Sequence, residues 1–491
     1  MANEPLLLSI DLGTATCKAF VVSSKCEVLG VSGHECPLVK RSANMIEQHA
    51  QDWWRVASVV AREAIANSGR SGRDVRAMSV SSQGISVVPV DGSGEVLRPV
   101  ISWLDTRANE EIDHILESIS PQELFQLTGK RPNVFYSLPK IMWIKKHEPD
   151  VFEKTSRFLL PHDYLIYRLT GRFVTDHSLA SGTLAHDVTG LDWSPRMLEI
   201  AGIDPGMFCD LTWAGTPVGV ILAESAETLG VCPEAVVTCG GQDQKCAALG
   251  VGAKKGTVTV SLGTASAISA IVQTPVLDSQ MRLPCFPFLV PRTWVLEGVI
   301  STAGGAVKWL KEAFFSGGYG LLDECAESAF EGTRGLFLYP HLAGAGSPVW
   351  DSALPGVVWG IRLSTSPADL ARSVLEGIAY QIRSNVETIG ELGVEADRVK
   401  VFGGGAKSKV WLQIIADVLG TEVSVPASTE AAAMGACLLA GVGSGVYANA
   451  EEGASAFSAG GSVIEPDEGR AREYDERYAR YREIEKRLAE A

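Results

Sequence analysis

The chain is 491 residues long and 46% hydrophobic, enough to fill the cores of two or three domains at ~150 residues each. Its 43 basic and 58 acidic side chains leave a formal net charge of −15, which argues against a general nucleic-acid binder, whose footprint is basic. No stretch approaches the ~18 consecutive apolar residues of a membrane helix, so neither nucleic acid nor membrane is an expected partner.

In chain order, residues 5–11 read as a buried strand ending on Asp11 and a Gly13-Thr14 turn. Strand character resumes over Lys18–Val22, which makes a hairpin and not a strand feeding a helix. Gln51–Asn67 has amphipathic helical period, and Val75–Val90 reads as strands broken at Ser81-Ser82-Gln83-Gly84. Residues 105–215 read as a mostly helical, irregular insertion on the first half. A strand at Ala235–Thr238 leads into Cys239-Gly240-Gly241-Gln242-Asp243-Gln244.

The hairpin pattern then returns at Thr257–Ala265 and Ile268–Ile271, and Leu-Gly-Thr-Ala occupies both turns, at 12–15 and 262–265. This suggests two similarly built halves. We place their boundary in the stretch 250–256, giving domains 1–252 and 253–491. Pro367–Leu392 reads as a long helix, followed by the strand Val399–Phe402, a glycine run and the helix Lys409–Leu419. The tail from Arg470 to Ala491 sets Tyr474, Tyr478, Tyr481 and Leu488 on one helical face, predicted to dock onto the protein.

Chemistry concentrates at a few places. A tight glycine turn offers backbone N–H groups to an anion, with a hydroxyl from Thr14, positive charge from Lys18, and Asp11 placed to hold a hydrated Mg²⁺. A plain hairpin with an exposed lysine fits the same residues; repetition of the turn at Ser261-Leu262-Gly263-Thr264 favours two turns gripping a polyphosphate across a cleft. Phe402-Gly403-Gly404-Gly405-Ala406-Lys407 lies at a strand-to-helix junction, where backbone can approach a flat or charged ligand; it is neither a Walker A loop nor G-x-G-x-x-G.

Asp243, after a strand and a glycine pair, suits a general base on an alcohol, or equally a helix N-cap. Trp103, Asp105 and Arg107 offer a platform, an acceptor and a donor for a polyol, or a salt bridge beside a core tryptophan. Ten cysteines without C-x-x-C spacing and eight histidines without ligand spacing indicate no zinc or redox site. With an N-terminus that lacks a secretion-signal pattern, the expected home is the cytoplasm.

Together these residues resemble the FGGY family of carbohydrate kinases, from Leu8 to about Ala440. One family signature runs through Phe135, Ser137, Lys140, Ile141, Trp143 and Ile144. The other runs from Gly356-Val357-Val358-Trp359-Gly360-Ile361 through Asp369-Leu370 to Ser373-Val374-Leu375-Glu376. The resemblance implies an α/β, actin-like ATPase (ribonuclease H-like) fold of duplicated domains, with ATP, Mg²⁺ and a small sugar or polyol meeting in the cleft between them. It assigns Asp243 as catalytic base and Asp11 to the Mg²⁺–phosphate site. Gly13, Thr14, Gly263 and Thr264 become the phosphate hairpins, with Lys18 beside the first. Gly304, Gly404 and Gly405 become nucleotide contacts, with Lys308 and Lys409 at positions that are often amides in relatives.

Gln83, Trp103, Asp105, Arg107 and Gln244 are the expected sugar-site residues. Xylulokinases look most similar, through stretches such as Glu47-Gln48-His49-Ala50-Gln51-Asp52-Trp53-Trp54, yet this chain carries Gln83-Gly84-Ile85 where xylulokinases have Gln-Met-His and glycerol kinases Gln-Arg-Glu. Phe135 likewise stands where glycerol kinases have a pocket tyrosine. Relatives are often dimeric, which makes a homodimer an expectation by analogy. An actin-like nucleotide-binding protein without transfer activity is the reading from a different class.

Overall fold

The computed structural model describes residues 4–330, 333, 335–428, 430–457 and 460–489. Two sheets organise it. The first is built from β1 (Leu6–Leu12), β2 (Thr16–Ser23), β3 (Val28–Glu35), β4 (Val75–Ser82), β5 (Pro217–Val220) and β6 (Val236–Gln242), in the spatial order β5-β6-β4-β1-β2-β3. Antiparallel β1–β3 make a meander, while β1, β4 and β6 run parallel. Parallel central strands are buried on both faces, which is why β1 reads as the nearly unbroken apolar run Leu6-Leu7-Leu8-Ser9-Ile10.

The second sheet repeats the plan with β7 (Thr257–Ser261), β8 (Ser266–Val272), β9 (Cys285–Pro287), β10 (Trp294–Ile300), β11 (Arg398–Phe402), β12 (Val423–Val425) and β13 (Ser462–Ile464), ordered β9-β10-β8-β7-β11-β12-β13. Again an antiparallel hairpin, β7–β8, sits beside a parallel strand, β11. Residues 105–215 fold as short helices and strands of two or three residues, the mostly helical, irregular insertion expected.

Helices cover the sheets. α1 (Ala50–Asn67) lays Trp53, Val56, Ala57, Val60, Ala61 and Ala64 on one face of the first sheet. The opposite face is covered from the far end of the chain. α4 (Ala431–Gly443), which follows α2 (Asp243–Gly250) and α3 (Pro367–Glu391), packs Ala433, Met434, Cys437 and Ala440 onto Leu7, Phe20, Val22 and Ala77. α2 and α4 cross at glycines. A Cβ at Gly435 would lie 1.9 Å from the Cys246 carbonyl oxygen, and one at Gly250 would lie 2.1 Å from that of Ala431.

The tail forms α5 (Glu468–Ala489) and docks as predicted, with Tyr474, Tyr478 and Tyr481 buried in the second core and Leu488 packed against it. Residues 490–491 of the predicted tail lie outside the described residues. Tyr481 stacks on Tyr339 at 4.3 Å, and the Tyr339 hydroxyl donates to the Tyr481 carbonyl. Among the described residues, no helix is long and apolar enough to cross a membrane.

Candidate active site

The strand ends of the two sheets face one cavity of about 470 Å³, lined from the first sheet by Asp11 and Gly13, from α2 by Asp243 and Gln244, and from the second sheet by Gly263, Thr264, Glu297 and Gly403. Register explains the surroundings of Asp11. On β1 it lies opposite Lys18 of β2 and Ser81 of β4, and the Ser81 hydroxyl donates to its Oδ1 at 2.8 Å. Burial pushes the Asp11 carboxyl up to about 6, against the opposing pull of Ser81 and Lys18.

Strand β6 runs four residues beyond the predicted Thr238 and ends at Gln242, so Gln242 is the N-cap of α2 and Asp243 its first residue. The Asp243 Oδ1 accepts from Gln242 Nε2 at 2.6 Å and from the Gln244 N–H at 2.7 Å. Oδ2 has no donor among the described residues. Burial first, then the negative charge of Asp11, raises the Asp243 carboxyl to about 7.

The two Gly-Thr turns share a plan. The Gly13 N–H donates to the Thr16 carbonyl at 2.9 Å, and that of Gly263 to Ala265 at 3.2 Å. The next two N–H groups of each turn, at Thr14 and Ala15 and at Thr264 and Ala265, have no protein acceptor among the described residues. That is what an anion-binding turn requires.

Gly304 supports the second turn from behind. Its N–H donates to the Gly263 carbonyl at 2.8 Å, and a Cβ there would approach that oxygen to 2.5 Å. In the glycine run, Gly403 has φ +97° and lines the cavity. Gly404 faces open space, whereas a Cβ on Gly405 would strike Trp411 and Leu262.

Several sequence expectations need correction. Asp105 is fully buried, and its two oxygens accept from the Ile46 N–H, the Arg107 N–H and the Arg107 guanidinium. Arg107 also reaches Glu47 at 3.0 Å and lies over Trp143, so this pair locks a loop and does not face a ligand. Lys18 is not a free phosphate cation, because its ammonium pairs with Glu430 at 2.8 Å. Lys308 is an exposed surface residue 4.0 Å from Glu312, one helical turn on. Lys409 lines a different cavity, beside Glu327, Arg372 and Arg470.

Trp103 and Gln83 take positions behind the first turn. The Trp103 indole donates to the Thr14 hydroxyl at 2.9 Å, and Gln48 joins the Thr14 carbonyl to the Gln83 amide. The buried Gln83 Oε1 has no partner among the described residues.

The sequence reading missed Glu297, whose carboxylate lines the cavity and pairs with buried Lys245 at 2.8 Å. An acid inside the apolar strand Trp294–Ile300 was the available signal. It also missed Glu430, for which no local signal exists.

Sequence models of the FGGY family of carbohydrate kinases match twice, the N-terminal domain at residues 6–250 and the C-terminal domain at 258–444. The xylulose kinase of Bacillus subtilis is 30% identical over 480 residues, 97% of this chain and 96% of that one. The chain belongs to the FGGY family of carbohydrate kinases.

This FGGY kinase is also similar to the gluconokinase of Bacillus subtilis, 29% identical over 90% of this chain and 87% of that one. Among solved structures, the xylulose kinase of Rhodospirillum rubrum superposes with a TM-score of 0.91 at 27% identity, covering 99% of both chains. The fold is the two-domain, actin-like ATPase fold, and the protein is an ATP-dependent sugar kinase of the kind that uses Mg²⁺. The residues present fit both groups: the turn N–H groups without protein acceptors among the described residues suit phosphate oxygens, and Asp11 and Asp243 are acids lining one cavity, a donor set suited to a hard cation.

Proposed function

We propose that this kinase phosphorylates a hydroxyl of a small neutral sugar or polyol, a ketose such as D-xylulose in first place, with Asp243 as the base. One observation carries the assignment: Asp243 has one oxygen pinned and the other free, in the cavity that holds both Gly-Thr turns. Gln242 and Gln244 fix the carboxylate's rotation, so Oδ2 is the atom that takes the hydroxyl proton as the acceptor oxygen attacks. A base raised to about 7 is matched to proton transfer near neutrality, a contribution of ~10²–10⁴-fold in rate.

The paired turns at Gly13-Thr14 and Gly263-Thr264 present N–H groups where charge grows on the transferred phosphoryl. Asp11 would hold Mg²⁺, which would supply neutralisation of phosphate charge. The first domain, 1–252, is assigned the sugar, with Trp103 and Gln83 positioning Thr14 and with Gln244 beside the base. The second, 253–491, is assigned the nucleotide, with Gly304 bracing the Gly263 turn and Gly403–Gly405 beside it. Closure of the two over both substrates excludes water as a competing acceptor.

Charge favours a neutral acceptor over a sugar acid. Asp11, Asp243, Glu297 and Glu430 all line the cavity, and its neighbouring cations, Lys18 and Lys245, are each already paired with an acid. With Glu430 and Glu297 engaged by those lysines, an aldonate carboxylate would face the unpaired acids Asp11 and Asp243 without a free cation.

The test is ADP release screened over ketoses, polyols and aldonates, with Asp243→Ala as blank. We expect sugar-dependent ADP release, fastest with a neutral ketose, and a blank that still binds nucleotide. An aldonate as the fastest acceptor sinks the charge argument; a blank turning over at near-normal rate sinks the base.

A further inference from the structure

On the far side of α2 from Asp243 lies a second cavity, of about 610 Å³. One wall is the stretch that joins the two sheets, with Lys254 and Lys255; another is β11, with Arg398 and Lys400. Strand alternation puts Arg398 and Lys400 on one face, while Val399 and Val401 between and beyond them are buried in the second core. Among the described residues none of these four cations has a carboxylate within ion-pairing distance. The Lys400 ammonium donates only to the Val251 carbonyl at 2.7 Å, just past the C-terminus of α2.

Glu451 is the single acid lining the cavity among the described residues, and the floor is apolar, with Ile271 and Phe288. Four cations without a carboxylate partner among the described residues stand together here in a chain of net charge −15. The repulsion is visible in Lys400, whose ammonium is held below the usual lysine range by burial first and then by the charges of Lys254 and Arg398.

We propose that this cavity is a second ligand site, separate from the catalytic cleft, that takes a small organic phosphate. The cations on two walls supply the partner for a phosphate dianion, and the apolar floor supplies contact for a carbon skeleton, which inorganic phosphates lack. A ligand bridging Lys254 or Lys255 to Arg398 ties the inter-sheet stretch to the second sheet. It does so beside the end of the helix that begins with Asp243.

The proposal does not depend on the identity of the sugar substrate and is tested by binding alone. Calorimetric titrations of the full-length protein, kept saturated with Mg²⁺ and ADP to fill the cleft, would compare ribose 5-phosphate with inorganic pyrophosphate. We expect ribose 5-phosphate to bind more tightly than pyrophosphate and to weaken as salt is raised. We expect Lys254→Glu/Lys255→Glu to weaken it about tenfold or more, and Glu451→Gln to strengthen it about two- to fivefold.

Lys254, Lys255 and Glu451 are exposed, so these variants should fold normally, which circular dichroism and an unchanged sugar-dependent ADP release would verify. Tighter binding of pyrophosphate assigns the site to inorganic anions and overturns the organic-phosphate assignment. Binding unchanged in the charge-reversal variant places the ligand elsewhere, and no binding of either probe leaves no anion site; both overturn the proposal.

Discussion

The two Gly-Thr turns have the same four-residue sequence and different equipment. The first is flanked by charge, Asp11 before it and Lys18 after it, and its Thr14 is held by Trp103 and Gln48. The second has Ser261 and Ala267 at the flanks, the Ser261 hydroxyl being used to accept the Ala267 N–H at 2.9 Å. It closes one residue sooner, Gly263 to Ala265 against Gly13 to Thr16, and leans on Gly304 and Gly305, whose N–H groups donate into it. Duplication has preserved a shape that presents backbone N–H groups, while side-chain chemistry stands on the first turn only. The first turn is the place to change charge, and the second is the place to change shape.

Five substitutions and a pH profile would break or sharpen that contrast. The largest effect should come from Asp11→Asn, which keeps shape and removes charge: kcat should fall about 10²–10³-fold. Ser261→Ala, at the matching position of the second turn, should stay within about threefold, and equal losses would erase the asymmetry. Next, Gly304→Ala drives a methyl into the Gly263 carbonyl and deforms the second turn. We expect KM for ATP to rise about tenfold, with a smaller change in KM for sugar.

Third, kcat/KM for sugar should climb with pH and reach half its plateau near pH 7, because a protonated Asp243 cannot accept the hydroxyl proton. A profile flat from pH 5.5 to 8 would assign the proton to another group. The same raised carboxyl has a stability counterpart. Its proton-linked stabilisation is complete below the ordinary value of 3.8 and is lost as pH rises through about 7. Asp243→Asn should therefore raise Tm by ~2–4 °C at pH 8 and leave it unchanged at pH 3.5. The smallest effect is expected from Glu430→Gln. Freeing Lys18 from a half-exposed ion pair should lower KM for ATP about two- to threefold, most clearly at low salt.

What the sequence made legible was local. The hairpins, α1, α3, the tail helix and the placement of Asp243 after a strand all follow from patterns a few residues long. Glu430 and Ser81 were not legible, because strand register and a helix from the opposite end of the chain bring them to Asp11 and Lys18. Asp105 and Arg107 misled for a physical reason. A carboxylate and a guanidinium two residues apart, in a loop that buries both, satisfy each other. Composition alone does not separate such a self-sufficient pair from one waiting for a sugar. Lys308 and Lys409 were placed by resemblance, and their surroundings put them outside the cleft.

The glycine crossing of α2 and α4 has a mechanical consequence. With carbonyls pressed where side chains would stand, the two helices approach as closely as backbones allow, and neither can take a side chain at the contact. A bulkier residue at Gly435 would drive a side chain into the Cys246 backbone and wedge the two helices apart.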